Sequence, residues 1–381
     1  MHRRTLLAAA AIGAALAGPA RAADTTLNVA TAGDQNMVDY INDYLGPRFE
    51  KAHPGVHVRA IGTGPGDPGS LAIEQKLSAE QKSGTPNWDI DVAVIHQRGA
   101  AQMVDEHLLA KYRDQVPTSA LVTSDKANNA LGTNVAGYVL PMFDSQVAIA
   151  YNPAEVKDPP RSYADLAAWV KQHPKQFGYN GIKGGMAGIG FVMGWVNAYA
   201  GLGPRLIKGP YEDADKPKID AALEGLKQFN ANATLTPGNA GTLDALNRGE
   251  IAMGAVWADM FYTWQNDGRL SPDLKLVLPA PGMPGQPMYY AIPDKAEHAQ
   301  LARDFIAMAT SPEVQAEGIV KRFNWYPGID AEHVQAKLDP KVWNKLFVDI
   351  TPQDLKQNAL PFPISPYFTT VLNEYEKVTQ Q

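Results

Sequence analysis

Apolar and polar positions along this chain follow two rhythms that take turns. Leu27-Asn28-Val29-Ala30-Thr31 alternates with the period of two that marks a half-buried strand. Gly33-Asp34-Gln35-Asn36 then forms a turn able to cap a helix. Val38, Ile41, Leu45 and Phe49 fall near one helical face, with Pro47 predicting a kink or a split. His53-Pro54-Gly55 ends that helix, Val56 to Ile61 reads as a second strand, Gly62 to Gly69 as a loop, and Leu71 to Gln81 as a helix. Asp89 to Ile95 is mostly apolar, as a parallel strand covered on both faces should be.

The same habit continues downstream. Ala136 to Pro141 and Val147 to Tyr151 are strand-like, with the polar Asp144-Ser145-Gln146 between them. Tyr163 to Lys171 predicts a helix that stops before Pro174, and the glycine-rich stretch Gly181 to Gly190 leads into an apolar helix from Phe191 to Ala200. Further helices are predicted over 219–229, 239–248 and 298–309, with shorter ones near Trp343 and over 367–377. Strands are predicted over 251–257 and 274–278. Strands alternating with helices predict an α/β fold, a largely parallel sheet covered on both faces.

Composition narrows the function. Arg3 and Arg4, the apolar run Leu6 to Leu16, and Ala20-Arg21-Ala22 have the order of a secretory signal peptide, so residues 1–22 are expected to be removed. Export by the Sec or the twin-arginine route would place the chain in the periplasm. The chain has no cysteine, which excludes disulfides, thiolate metal sites, cysteine nucleophiles and a lipidated N-terminal cysteine. Its formal charge of −6 argues against nucleic-acid binding. A length of 381 residues predicts two domains, with no linker rich in Ser and Gly between them. There is no Gly-x-Ser-x-Gly elbow, no His-Glu-x-x-His and no paired-histidine metal spacing, so no catalytic constellation and no cofactor are expected. A secreted α/β hydrolase is the competing reading.

Six phrases carry a resemblance. They are Phe49-Glu50-Lys51-Ala52-His53-Pro54-Gly55-Val56-His57-Val58, Trp88-Asp89-Ile90-Asp91-Val92, and Leu140-Pro141 with Ile149-Ala150-Tyr151-Asn152. The others are Ser162-Tyr163-Ala164-Asp165-Leu166, Leu246-Asn247-Arg248-Gly249-Glu250-Ile251-Ala252-Met253, and Ala302-Arg303-Asp304-Phe305-Ile306 with Ser311-Pro312-Glu313-Val314-Gln315. In this order they resemble the extracellular solute-binding proteins of ABC importers, solute-binding family 1, typified by maltose-, polyamine- and iron-binding members. The resemblance implies the type II periplasmic-binding-protein fold: two α/β lobes with a ligand cleft between them, which close on binding. It implies lobes over 24–143 plus 277–322 and over 144–276 plus 323–381. It also implies a monomer that serves an ABC transporter membrane permease.

Candidate ligand-binding residues follow from that cleft, because polar loops after strands and helix starts supply contacts there. Asp34, Gln35 and Asn36 follow the first strand, Thr63 the second, and His96 and Gln97 the third. Phe143, Asp144 and Ser145 lie at the first crossover, and Gly185 and Met186 in a backbone nest suited to anions. Trp257 and Asp259 end the strand after the Gly249-Glu250 phrase, and Tyr290 and Trp325 are the remaining aromatic candidates. Tyr289-Tyr290 and Trp325-Tyr326 should each alternate one ring inward and one outward. Adjacent tyrosines bind ferric iron in some relatives, but the local phrase differs here. Aromatics mixed with acids favour a carbohydrate or polyol, and next a polyamine or thiamine-like cation.

Overall fold

A computed structural model describes residues 25–33, 35–64, 66–183 and 185–379; the expected signal peptide lies outside the described residues. β1 (Thr25–Thr31) pairs in parallel with β2 (Val56–Gly62) on one side and β3 (Val92–Ile95) on the other. Between β1 and β2 the helical path is continuous: α1 (Gln35–Tyr40), a π turn over Ile41–Leu45, and α2 (Gly46–Ala52). Pro47 therefore does not break the chain. The helical path runs on through it: Gly46 N–H still donates to the Ile41 carbonyl, and the π turn marks where the path divides into α1 and α2. α3 (Gly66–Lys82) starts earlier than the apolar pattern indicated, and α4 (Gln97–Asp105) follows β3.

A short hairpin comes next, β4 (Asn129–Ala130) with β5 (Thr133–Asn134). Beyond it the structure departs from the sequence reading. In place of two strands separated by a polar loop there is one strand of 13 residues, β6 (Val139–Tyr151). The polar triplet stays in the strand because two of its side chains find partners on other elements: Ser145 donates to Asp259. Gln146 donates its amide to the carbonyls of Val147, Met283 and Pro284.

The second half of the chain adds α5 (Tyr163–Gln172), β7 (Phe177–Tyr179), α6 (Met186–Tyr199), α7 (Arg205–Lys208) and α8 (Lys216–Asn230). It continues through β8 (Thr234–Leu235), α9 (Gly238–Asn247), β9 (Met253–Trp257), α10 (Ala258–Asn266), β10 (Lys275–Val277), β11 (Met283–Ala291) and α11 (Ala299–Ala309). β12 (Tyr326–Pro327), β13 (Ala359–Leu360) and a C-terminal helix, Ser365–Thr379, complete it.

One curled sheet runs β2-β1-β3-β11-β6-β9-β7-β8. β6 and β11 are its seam. The first part of β6 pairs with β11, whose end pairs with β3; the last part of β6 pairs with β9 and β10. The parallel set β1–β3 lies on one side of the seam, and β7 with β8 and β9 on the other. Helices cover both faces of each set, which gives two α/β lobes. This covering also defeats the expected alternation of aromatic pairs. Tyr289 and Tyr290 are fully buried, and Trp325 and Tyr326 are 3% and 4% exposed, because both faces of the seam are packed. Among the described residues no helix is long and apolar enough to cross a membrane.

Candidate functional site

Where β6 passes from one lobe to the other, its residues meet α10 and the approach to β12. The Phe143 ring lies 4.4 Å from Trp325, and Trp325 stacks on Phe323 at the same spacing. The Trp325 indole N–H reaches the Asp259 carbonyl at 3.2 Å and the Thr263 hydroxyl at 3.0 Å. Ser145 donates its hydroxyl to Asp259 Oδ1 at 2.7 Å. A hydroxyl on the seam thus orients a carboxylate in the first turn of α10, and the indole pins the same turn through its backbone.

Asp144 stands opposite Tyr326 in the pairing of β6 with β12. Burial pushes the phenols of Tyr289 and Tyr326 well above their ordinary value, and the nearby Asp144 carboxylate raises both further. Asp144 and Asp259 are both partly exposed; the buried Phe143, Ser145 and Trp325 lie on the Asp259 side, and Asp144, between Phe143 and Ser145 in the strand, turns to the opposite face. The seam thus carries two partly exposed carboxylates, of which Asp259 is the one held beside Ser145, Trp325 and Phe143.

Trp257 ends β9 just before Asp259 and is partly exposed; its N–H donates to Asn239 Oδ1 at 2.9 Å, and the Asn239 amide reaches the Met260 sulfur at 3.1 Å. Asn239 was not among the sequence candidates. Its signal was present, since Pro237-Gly238-Asn239 opens a helix directly after a strand. Tyr289, Tyr326, Phe323 and Thr263 were also missed, because nothing local marks a residue whose partners lie far along the chain.

The first-lobe candidates occupy strand ends and helix starts. Asp34 lies outside the described residues. Gln35 is exposed and donates to Asp39 along α1, while Asn36 is partly exposed with a buried Oδ1 that has no partner among the described residues. Thr63 ties β2 to its neighbours: its hydroxyl lies 3.1 Å from the Thr31 carbonyl and 2.9 Å from that of Gly69. His96 caps α4, its N–H donating to Ser70 Oγ at 3.0 Å and its Nδ1 lying 3.2 Å from the same oxygen. Gln97 is 1% exposed, its amide tucked beneath α4 beside Tyr289, so it supports the surface instead of forming it.

Gly185, at φ +116°, starts α6, and its carbonyl accepts from the Asn180 amide. Met186 is the first residue of α6, so the helix begins inside the glycine-rich stretch and not after it. Tyr290 is placed elsewhere. Its ring meets Phe305 edge-on in the first-lobe core, and its carbonyl accepts from the Tyr112 hydroxyl at 2.7 Å.

Two surface cavities, of about 340 and 580 Å³, lie on the second lobe around Arg161 and between α5, α6 and α8; no candidate residue lines either. Among the described residues no group of three His, Asp or Glu side chains is placed to hold a metal ion.

Comparison with known proteins fits this architecture. The profile of a family described as bacterial extracellular solute-binding protein matches residues 46–359. The spermidine/putrescine ABC transporter substrate-binding protein PotD from Streptococcus pneumoniae is 14% identical, with a TM-score of 0.69, over 93% of this chain and 99% of that one. An ABC transporter solute-binding protein from Thermotoga lettingae, bound to α-D-tagatose, is 14% identical, with a TM-score of 0.70, over 93% and 94%. Iron-bound HitA from Pseudomonas aeruginosa is 19% identical, with a TM-score of 0.60, over 93% and 99%. No curated protein matches the chain in sequence.

Proposed function

This chain belongs to the bacterial extracellular solute-binding proteins, and from that premise we propose that it captures a small polyhydroxylated solute, a carbohydrate or polyol, for an ABC importer. The family binds solute without transforming it, which sets the hydrolase reading aside. The observation that carries the solute class is the acidic, partly exposed seam, with the oriented Asp259 carboxylate at its centre. Asp144 and Asp259 are both partly exposed; Asp259 is oriented by Ser145, its turn is pinned by Trp325, which packs on Phe143, and the partly exposed Trp257 precedes it at the end of β9. Carboxylates accept hydrogens from ligand hydroxyls, and a partly exposed indole offers an apolar face to a sugar ring. Asn36, Thr63 and His96, at the strand ends and helix starts of the first lobe, supply further polar groups for ligand hydroxyls.

The lobes are drawn over 24–143 plus 277–322 and over 144–276 plus 323–381. The pairing of β11 supports moving its crossing toward Gln286, because Met283 pairs with β13 and Gly285 with the second part of the polar triplet. Closure of the lobes over the solute would present one joint surface to the permease. Export to the periplasm and a monomeric state complete the proposal.

An organic cation is the second reading. The same carboxylates favour it, and the Streptococcus pneumoniae relative is named for spermidine and putrescine. Titration calorimetry with sugars, polyols and polyamines, on ligand-stripped protein, separates the two. For a polyol, Asp144→Asn and Asp259→Asn keep an acceptor and each weakens binding by about tenfold, with little dependence on salt. For a cation, each removes a charge, costs about a hundredfold or more, and the wild-type affinity falls as salt rises. No binding by either class would overturn the carboxylate-centred site.

A further inference from the structure

Away from the two crossing strands the lobes as bounded above touch where Thr123 holds the Asp330 carboxylate at 2.6 Å, and again at a proline-rich segment. Leu360 to Pro366 reads Leu-Pro-Phe-Pro-Ile-Ser-Pro, with prolines at 361, 363 and 366. Prolines so spaced fix φ and remove donors, giving a stiff, extended strap. The strap leaves β13, which pairs with the second-lobe end of β11, and delivers the chain to the C-terminal helix packed on α8 and α6. Phe362 is 2% exposed, with its ring against Phe368. The Ile364 N–H donates to the Leu206 carbonyl in α7 at 2.8 Å, so the strap is seated on the second lobe.

The next N–H points across. Ser365 donates to the Leu131 carbonyl at 2.7 Å. Leu131 and Gly132 form the tip of the β4–β5 hairpin, which packs on α4 in the first lobe. Both tip residues are left-handed, at φ +52° and +98°, as a two-residue hairpin turn demands. The tip is rigid, since Gly132 donates to Asn129 Oδ1 at 2.7 Å. At the root of this loop the buried Arg113 holds Asn128, Val122 and Ala136. Gly132 lies directly on the strap, where a Cβ would stand 2.9 Å from Ile364 Cγ2 and 3.0 Å from its Cβ. A stiff strap from one lobe meets a braced hairpin from the other.

We propose that this contact is an inter-lobe latch: the hairpin tip Leu131–Gly132 and the strap residues Ile364–Ser365 part when the cleft opens and re-form when it closes. The contact then sets how readily the lobes separate and, with that, how fast any enclosed solute escapes. The inference rests on the two-lobed architecture and holds whatever the solute is, so its test needs none.

The experiment uses ligand-free protein. A compact chain of this length has a radius of gyration of about 21 Å. Ile364→Ala should raise the scattering radius above the wild-type value and speed exchange of the Ser365 amide by about tenfold, because the apolar atoms packed on Gly132 are removed and the backbone bond from Ser365 to Leu131 opens more often. Because the protein lacks cysteine, the Gly132→Cys, Ile364→Cys double variant can be oxidised across the contact. An ideal Cβ at position 132 stands 3.0 Å from that of Ile364, so the hairpin tip, whose φ of +98° a cysteine adopts only under strain, shifts outward by about half an ångström to reach the 3.5–4.5 Å that a disulfide spans. The oxidised form should scatter as the compact state, and reduction should restore opening. Two results would overturn the latch: a folded Ile364→Ala protein with wild-type scattering and exchange, or an oxidised double variant that opens as far as the reduced one. The second would make the contact a fixed pivot.

Discussion

Gln315 shows how much one buried side chain can join. It is fully buried; its amide N–H groups reach the carbonyls of Met142 on β6 and Ala309 at the end of α11, both at 3.0 Å, and its Oε1 accepts from the Gly328 N–H at 2.8 Å. Gln315→Ala leaves two carbonyls and one N–H buried without partners, at a cost of about 3 kcal/mol. The melting temperature should then fall by roughly 6–12 °C for a protein built of lobes this size, which scanning calorimetry reads directly. A drop of a degree or less would mean that water replaces the amide. In the sequence Gln315 was visible as the end of the Ser311-Pro312-Glu313-Val314-Gln315 phrase and nothing more. The position of Trp257 and Asp259, where a strand runs into a helix, was legible because that is a local pattern. The bond from Ser145 to Asp259 was not, because its ends lie 114 residues apart. Tyr290 misled for a different reason: a strand packed on both faces carries no alternation to show which ring faces a cleft.

At the scale of elements, the C-terminal helix is tied to the second lobe by charge as well as by packing. The Asp215 carboxylate is 2% exposed and receives the Tyr367 hydroxyl at 2.5 Å, with Arg205 and Lys218 each at 3.1 Å. These partners, the Tyr367 hydrogen bond first, hold its pKa below the ordinary aspartate value of 3.8. The folded pKa is thus lower than the unfolded one. The stabilisation is fully present above the unfolded value and is lost as pH falls through the folded one. Glu374 is depressed in the same way by Lys377 and Lys216. Melting temperature measured from about pH 6 down to about pH 3 should fall steeply at the acid end, and Asp215→Asn should flatten that fall while lowering the plateau. Equal acid slopes in the two proteins would remove Asp215 from the account. The elements themselves were largely legible from periodicity; two departures have one cause. The helix around Pro47 and the single long β6 both absorb an apparent breaker, a proline in a first turn and a polar triplet whose partners lie on other elements.

The molecule as a whole is held by a seam. Because β6 and β11 carry one sheet through both lobes, each parallel set ends in an edge only on its outer side, at β2 and at β8. Gly285 stands on that seam opposite Gln146, where a Cβ would lie 2.5 Å from both Gln146 Oε1 and the Ser145 carbonyl. The carbonyl belongs to the sheet backbone and cannot turn aside, so Gly285→Ala must push β11 away from β6 at a cost of about 1–3 kcal/mol. Shared pairing predicts one cooperative calorimetric transition for the wild type, with van't Hoff and calorimetric enthalpies in agreement. Loosening the seam weakens the coupling between two cores that are each amply packed. Gly285→Ala should therefore lower the midpoint and broaden the transition, so that the van't Hoff enthalpy falls below the calorimetric one. If the wild type already melts in two steps, the lobes stand independently and the seam serves only to guide their motion. If Gly285→Ala shifts the midpoint and keeps a single sharp step, the coupling resides elsewhere, and the strap that joins Ile364 to the β4–β5 hairpin is the structure that could supply it.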